Sequence, residues 1–148
     1  MQPGREGKIK IQVKTAGYEG EMSKNITVYT NDPNQKILTL ELKAFIKQSI
    51  YLSRKSITLQ GMAGQTITQS IEVKAGEDKP LILKPTFFDL DQKVSYQIEE
   101  IIKGKIYKIH FTHKPGPVES YSGSLTLETN FLKKPQIKIL IWGNFTAN

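Results

Sequence analysis

Apolar and polar residues alternate along most of the chain with a period of two. Ile9, Ile11 and Val13 alternate with lysine and glutamine, and the longer row of residues 38–44 places leucines and an alanine opposite Thr, Glu and Lys. Alternation over five to nine residues is typical of half-buried antiparallel strands. No apolar stripe of helical period runs beyond two turns. The pattern therefore predicts an all-β protein.

Turn residues separate these alternating segments. Residues 16–20 and 114–117 are rich in Gly and Pro, and Asn31-Asp32-Pro33-Asn34 stands between two apolar rows. Gly supplies positive φ, Pro presets φ, and Asx side chains bond to the backbone two residues on. These segments are predicted to be tight connections between strands.

Residues 1–47 resemble a second copy of the end of the chain. Displaced by 99 positions, Ile26 aligns with Leu125, Val28 with Leu127, Leu38 with Ile137, Leu40 with Ile139, Leu42 with Ile141, and Ala44 with Gly143. With one residue fewer in the turn, Ile9, Ile11 and Val13 align with Tyr107, Ile109 and Phe111. A period near 100 residues corresponds to one sandwich domain, whereas solenoid units span roughly 20–50 residues. We therefore expect the last three strands of one domain over 1–47 and a complete similar domain over 48–148.

The second segment carries the signature of a two-sheet sandwich. Strands are predicted near residues 49–53, 56–60, 65–74, 80–88, 93–102, 105–113, 121–129 and 135–145. Such short strands with frequent turn signals indicate an immunoglobulin-like antiparallel β-sandwich. The core is expected to contain Ile71, Val73, Ile109, Phe111, Leu125, Leu127, Ile139 and Ile141. The join at Lys47-Gln48-Ser49 is too short for a flexible linker.

Charge and composition argue against several classes of function. The net charge of +7 is spread evenly, with 8 Lys/Arg against 5 Asp/Glu in residues 1–48 and 13 against 9 in residues 49–148. Even spacing indicates solvated strand faces and argues against a nucleic-acid site. No apolar run is long enough for a membrane span, and residues 1–4 do not open a signal peptide. Cysteine is absent, which excludes disulfides and thiolate chemistry.

Neither the histidines nor the acidic residues form a convincing site. His110 and His113 lie three residues apart on a strand and should face opposite sides, so they are not expected to share a metal. The acidic residues weighed for calcium are Asp89, Asp91, Glu77, Asp78, Glu99 and Glu100. They lack the spaced oxygen series and glycine of a calcium loop, and no Gly-x-Ser-x-Gly elbow occurs. We expect no catalytic, cofactor-binding or metal site and no enzymatic activity.

Aromatic residues offer two binding hypotheses. Of Phe87 and Phe88, only one can face the core, and the other either covers the rim or contacts a partner. An outward platform for sugars would require several of Trp142, Tyr121, Tyr107 and Tyr96 to face solvent together.

The segments 3–11, 24–33 and 38–44 follow a recurrent pattern. They contain Pro-Gly, a β run, a Gly, a β run ending Thr-Asn-Asp, and a run ending in a small residue. Over residues 3–47 the chain resembles a bacterial family of unknown function whose repeats are allied to Hydin-type immunoglobulin-like domains, in the PapD and major-sperm-protein superfamily. The match is weaker over 103–146, where Phe131 replaces the Asp. The resemblance implies a sandwich fold and an extracytoplasmic location, periplasmic or at the cell surface, and it implies no reaction.

Three functions remain open from the sequence. The leading one is a non-enzymatic structural or interaction module of a larger bacterial protein, acting as spacer, scaffold or adhesive contact. The alternatives are a chaperone-like domain that captures a peptide by β-edge addition and a carbohydrate-binding module. The protein partner is unknown. Either self-association through the sheet of residues 8–46 or poor order there is expected, because three strands with one naked apolar face are marginal in water.

Overall fold

The computed structural model describes residues 4–15, 18 and 20–147. The chain divides into two compact units, residues 1–47 and residues 48–148. The described residues form ten strands, numbered here in chain order, and no helix. The predicted all-β class is confirmed. None of the described segments is a helix long and apolar enough to cross a membrane.

The first unit contains one antiparallel hairpin. Strand β1 (Gly20–Tyr29) pairs with β2 (Ile37–Ile46) along ten residue pairs. Ile26 lies opposite Leu40 and Val28 opposite Leu38, so one face of the hairpin is apolar. The turn is the predicted Asn-Asp-Pro-Asn segment, in which the Asn34 N–H donates to Asp32 Oδ1 at 2.8 Å.

The third strand expected in this unit is not formed. Residues 8–15 lie outside the strands, and Ile9 is 65% exposed. The second unit gives the reason. There the counterpart of Ile9–Val13 pairs within a different sheet from the one that holds the equivalent hairpin. Its hydrogen-bonding partners are strands that have no counterpart among the described residues of the first unit.

The second unit has eight strands close to the predicted positions. They are β3 (Ile50–Leu52), β4 (Ser56–Met62), β5 (Thr68–Ala75), β6 (Leu83–Phe88), β7 (Val94–Ile102), β8 (Ile106–His113), β9 (Glu119–Thr129) and β10 (Gln136–Thr146). They build two four-stranded sheets, in the orders β3-β5-β8-β7 and β4-β10-β9-β6. This is the immunoglobulin arrangement, with its first strand divided between the sheets.

The divided first strand gives the sandwich one parallel pair in an otherwise antiparallel structure. The chain leaves β3 at Leu52, crosses between the sheets and continues as β4, which pairs in parallel with β10 over seven residue pairs. Alternation in the sequence predicted both strands, although it carries no information on parallel pairing.

The core lies between the two sheets of the second unit. All eight residues predicted for it are fully buried. They are joined by Leu59, Leu81, Val94, Phe131, Ile137 and Phe145, among others. Each such side chain contributes roughly 1.5–3 kcal/mol by leaving water. Phe88 and Tyr96 meet edge to face, with ring centroids 4.9 Å apart, and join β6 to β7 across the two sheets.

Candidate functional site: the outer face of the second sheet

The two histidines lie on opposite faces of β8, as the strand period predicts. His110 is on the outer side, where Nδ1 is 2.8 Å from the Ser70 hydroxyl and Nε2 is 2.8 Å from Glu99 Oε2. The ring thus bridges β5 and β7. Its two nitrogens are occupied by neighbours within the sheet.

His113 is fully buried on the inner side. Its Nδ1 is 2.8 Å from the Tyr121 hydroxyl, and its ring stacks on Phe145 with centroids 3.5 Å apart. Among the described residues Nε2 has no hydrogen-bond partner. Burial lowers the pKa of His113, and the nearby Lys93 ammonium lowers it further, with weak opposition from the Lys93 carbonyl. Burial also raises the pKa of Tyr121 to about 12.

Asp89 and Glu100, two of the acidic residues weighed as ligands, have structural partners. Asp89 Oδ1 accepts the Ser124 N–H at 2.7 Å and so continues the bonding of β9 where β6 ends. Glu100 accepts the Gly104 N–H at 2.8 Å and the Tyr107 hydroxyl at 3.0 Å, and these bonds lower the pKa of Glu100. Within the described ranges no cluster of three or more His, Asp or Glu side chains is suited to a metal ion.

The aromatic platform weighed for sugars does not assemble. Tyr107 is buried and donates its hydroxyl to the Leu81 carbonyl at 2.7 Å, while Tyr96 and Tyr121 pack against the core. Trp142 faces solvent and is 42% exposed. The sequence hypothesis required several outward rings, and three of the four point inward.

Phe87 and Phe88 divide as expected for adjacent strand residues. Phe88 packs against the core, whereas Phe87 is 54% exposed on the outer side of β6. A register shift between Pro85 and Phe87 interrupts the pairing with β9 at this point. Phe87 consequently lies on the same outer sheet face as Trp142.

That outer face, termed here the Trp142 face, is made of the outward residues of β4, β10, β9 and β6. Leu140 and Trp142 on β10 lie opposite Ser124 and Ser122 on β9. A depression of about 320 Å³ opens between them, and its lining includes Asp89 and Lys138. The sequence carries one signal for this face, because Leu140 and Trp142 are apolar residues at positions of β10 that face solvent. The pairing of these two residues was not predicted.

The first hairpin also presents an exposed apolar surface. Ile26 and Val28 are half-buried and Leu40 is exposed, although their counterparts 99 positions on are fully buried. In the second unit, the sheet β3-β5-β8-β7 covers those counterparts. The described part of the first unit has no such sheet.

Comparison with known proteins identifies one family. Residues 1–46 match the sequence profile of a family of proteins of unknown function, DUF1573. The match covers the first unit and leaves the sandwich of residues 48–148 outside it. No curated protein matches the chain significantly.

Proposed function

We propose that the chain is a non-enzymatic, immunoglobulin-like module from a bacterial protein that repeats this domain in tandem, where it acts as spacer, scaffold or contact surface. We also propose that the parent protein lies outside the cytoplasm and belongs to the Hydin- and PapD-like superfamily, because residues 3–47 resemble the repeats of that superfamily. The two hairpins of the chain carry the structural argument.

The pairing of β1 with β2 repeats the pairing of β9 with β10, residue for residue. Gly20 pairs with Ile46 as Glu119 pairs with Phe145, and all ten pairs in each hairpin correspond at a displacement of 99. Because the turn and its length fix the register of a hairpin, the shared register means that both hairpins have the same turn length at matching positions. This correspondence is the observation that supports a repeated domain best.

The two turns repeat the same hydrogen bonds. The Thr30 N–H donates to the Lys36 carbonyl at 2.8 Å, and the Thr129 N–H donates to the Pro135 carbonyl at 2.9 Å. The Thr30 hydroxyl accepts the N–H two residues on at 3.2 Å, and the Thr129 hydroxyl does so at 3.1 Å. The turn therefore tolerates the replacement of Asp by Phe131 because the threonine, which both turns share, organises it.

A role for the first hairpin follows from this correspondence. If β1 and β2 are the last strands of a sandwich, a sheet equivalent to β3-β5-β8-β7 must cover their apolar face. In the parent protein that sheet would come from further strands of the same domain. In the isolated chain we expect self-association through the sheet of residues 8–46, or weak order there.

Two alternatives receive less support from the geometry. Capture of an extended peptide needs an open sheet edge. Of the four edge strands of the sandwich, β4 is regular over seven residues, but β3 has three residues, β6 contains Pro85 and a register shift, and β7 shifts register near Glu100. Such short, irregular edges resist strand addition. Sugar binding by several coplanar rings fails because Tyr96, Tyr107 and Tyr121 face inward.

Matched amide exchange on the two hairpins tests the proposal. Because the second hairpin is covered and the first is not, amides of residues 120–145 should exchange far more slowly than those of residues 21–46 in dilute protein. If the first hairpin self-associates, its protection should rise with concentration alongside the mass from light scattering. Leu40→Lys on the apolar face should then abolish the rise, and Thr39→Lys on the opposite face should not.

One outcome would contradict the proposal. A strictly monomeric chain in which both hairpins show equally strong protection would mean that residues 1–47 complete their own fold. The domain would then not be the end of a repeated sandwich.

A further inference from the structure

The Trp142 face has the shape of a ridge beside a trough. Leu140 and Trp142 form the ridge on β10. Beside this ridge the neighbouring strand β9 presents three small hydroxyl side chains in a row, of which Ser124 and Thr126 retain 5% and 8% exposure between taller neighbours. Ser122 completes the trough, and Phe87, opposite Thr126, forms its far wall. A ridge and a trough of matching direction therefore lie side by side on one surface.

The first hairpin shows that the fold does not require this apolar ridge. At a displacement of 99, Leu140 corresponds to Glu41 and Trp142 to Lys43, in the same strand register. Those two side chains form an exposed ion pair at 3.5 Å, and Ser23 donates to Glu41 at 2.9 Å. At these two positions the same backbone thus carries a charged pair in one copy and an apolar pair in the other.

Charge argues for a partner of the same sign. The chain carries a net charge of +7, so an acidic partner would be met best by a face rich in lysine. On the Trp142 face, however, Lys138 is matched by Asp89 at the depression and Lys84 by Glu128 across the strands. A like-charged protein can therefore approach this face without meeting a local excess of positive charge.

We propose that the Trp142 face binds the same face of a second copy of this chain. In a two-fold interface every contact occurs twice. An axis running between β9 and β10 would place each Leu140–Trp142 ridge in the partner's serine trough and bring each Lys138 towards the partner's Asp89. The bulky anchors Trp142, Leu140 and Phe87 are of the kind that dominate binding energy in the centre of interfaces.

The face is small for a stable protein interface. Strand spacings give a surface of roughly 600 Å², which is smaller than the roughly 800 Å² per partner of a standard stable interface. We therefore expect a reversible dimer with a dissociation constant on the order of micromolar. This surface is distinct from the apolar side of the first hairpin.

The single tryptophan of the chain gives a direct readout. Between about 0.1 and 200 μM, the emission maximum of Trp142 should shift to shorter wavelength as the ring leaves water, while sedimentation velocity shows a monomer becoming a dimer. Residues 48–148, which contain the complete sandwich core, should behave in the same way. Dimerisation lost in that fragment would assign the association to the first hairpin instead.

Two interface variants and one control test the proposed contacts. Leu140→Glu with Trp142→Lys installs the residues of the first hairpin and should raise the dissociation constant by about 30-fold or more, the loss expected for a hot-spot residue. Ser124→Gln fills the trough and leaves the ridge and the fluorophore in place. The control Ile101→Glu with Ile102→Lys alters equally exposed apolar residues on β7 and should leave the dimer intact.

The outcomes are decisive in both directions. A constant emission maximum and monomeric sedimentation over the whole range would overturn the proposal, as would a dimer that survives both the ridge and the trough variants. Neither result bears on whether the two hairpins repeat one domain, because that rests on the register and on amide exchange.

Discussion

Gly143 faces the core directly opposite Tyr121, and an alanine there should be destabilising. An ideal Cβ on Gly143 would lie 2.1 Å from Cζ and 2.4 Å from both Cε atoms of the Tyr121 ring. The ring has little freedom to move, because its hydroxyl bonds to His113 and its face stacks near Phe145. Overpacking of a core typically costs about 1–3 kcal/mol.

The direction of the stability change caused by Gly143→Ala separates this packing effect from the usual effect of replacing a strand glycine. Glycine within a strand is normally the less stable choice by roughly 0.5–1 kcal/mol relative to alanine, so without the ring Gly143→Ala would stabilise the domain. The first hairpin places Ala44 opposite Met22 at the same register. A flexible methionine accommodates a methyl group that a fixed ring does not.

Urea denaturation of the unmodified protein and four variants measures this coupling. Gly143→Ala should be destabilising, and Tyr121→Met should cost about 1–3 kcal/mol because His113 loses its partner. The double variant should be more stable than the sum of these losses by about 0.5–3 kcal/mol. Gly116→Ala, where the nearest atom would be 3.5 Å away, is the control. A neutral or stabilising Gly143→Ala would refute the packing argument.

Three further outcomes follow. Ile109→Ala in the centre of the core should lower the free energy of unfolding by about 2–5 kcal/mol through transfer and cavity formation, whereas Ile101→Ala at a half-exposed position should lower it far less. Equal losses in urea denaturation would mean that the inward and outward faces of these strands are assigned the wrong way round. Folding lowers the pKa of His113, so the neutral ring contributes to the free energy of unfolding. That contribution should be fully present above about pH 6.5, the usual pKa of an unfolded histidine, and should fall as pH decreases towards the folded pKa. His113→Phe should flatten that slope in melting experiments from pH 7.5 to 5, and an unchanged slope would assign it to other groups. Thr129→Val should lower stability by about 1 kcal/mol, since its hydroxyl both accepts and donates a bond in the turn; calorimetry showing no change would mean that the turn is held otherwise.

The strands and the core of the sandwich were accessible from the sequence because strand burial follows a period of two. Ile71, Val73 and Ile109 are apolar residues between polar neighbours, and each is fully buried as predicted. The same period failed at Ile9–Val13, where alternation is present and pairing partners are absent. A strand needs a neighbour as well as a pattern.

The Trp142 face was harder to predict from the sequence, because it depends on which strands become neighbours in the sheet. Trp142 was noticed as an aromatic residue, but its relation to the serines of β9 and to Phe87 on β6 arises only from the sheet order. Alternation likewise placed His113 opposite to His110 without revealing that its Nε2 would be buried beside Phe145. Such properties come from tertiary contacts that no local pattern encodes.

The parallel pairing of β4 with β10 has a mechanical consequence. These strands lie near the two ends of the domain, so tension applied through the chain pulls the start of β4 and the end of β10 in opposite directions along the strands. A hairpin pulled at its open end loses its hydrogen bonds one after another, whereas a parallel ladder loaded in this way must slide as a whole. All seven residue pairs of this ladder would therefore share the load.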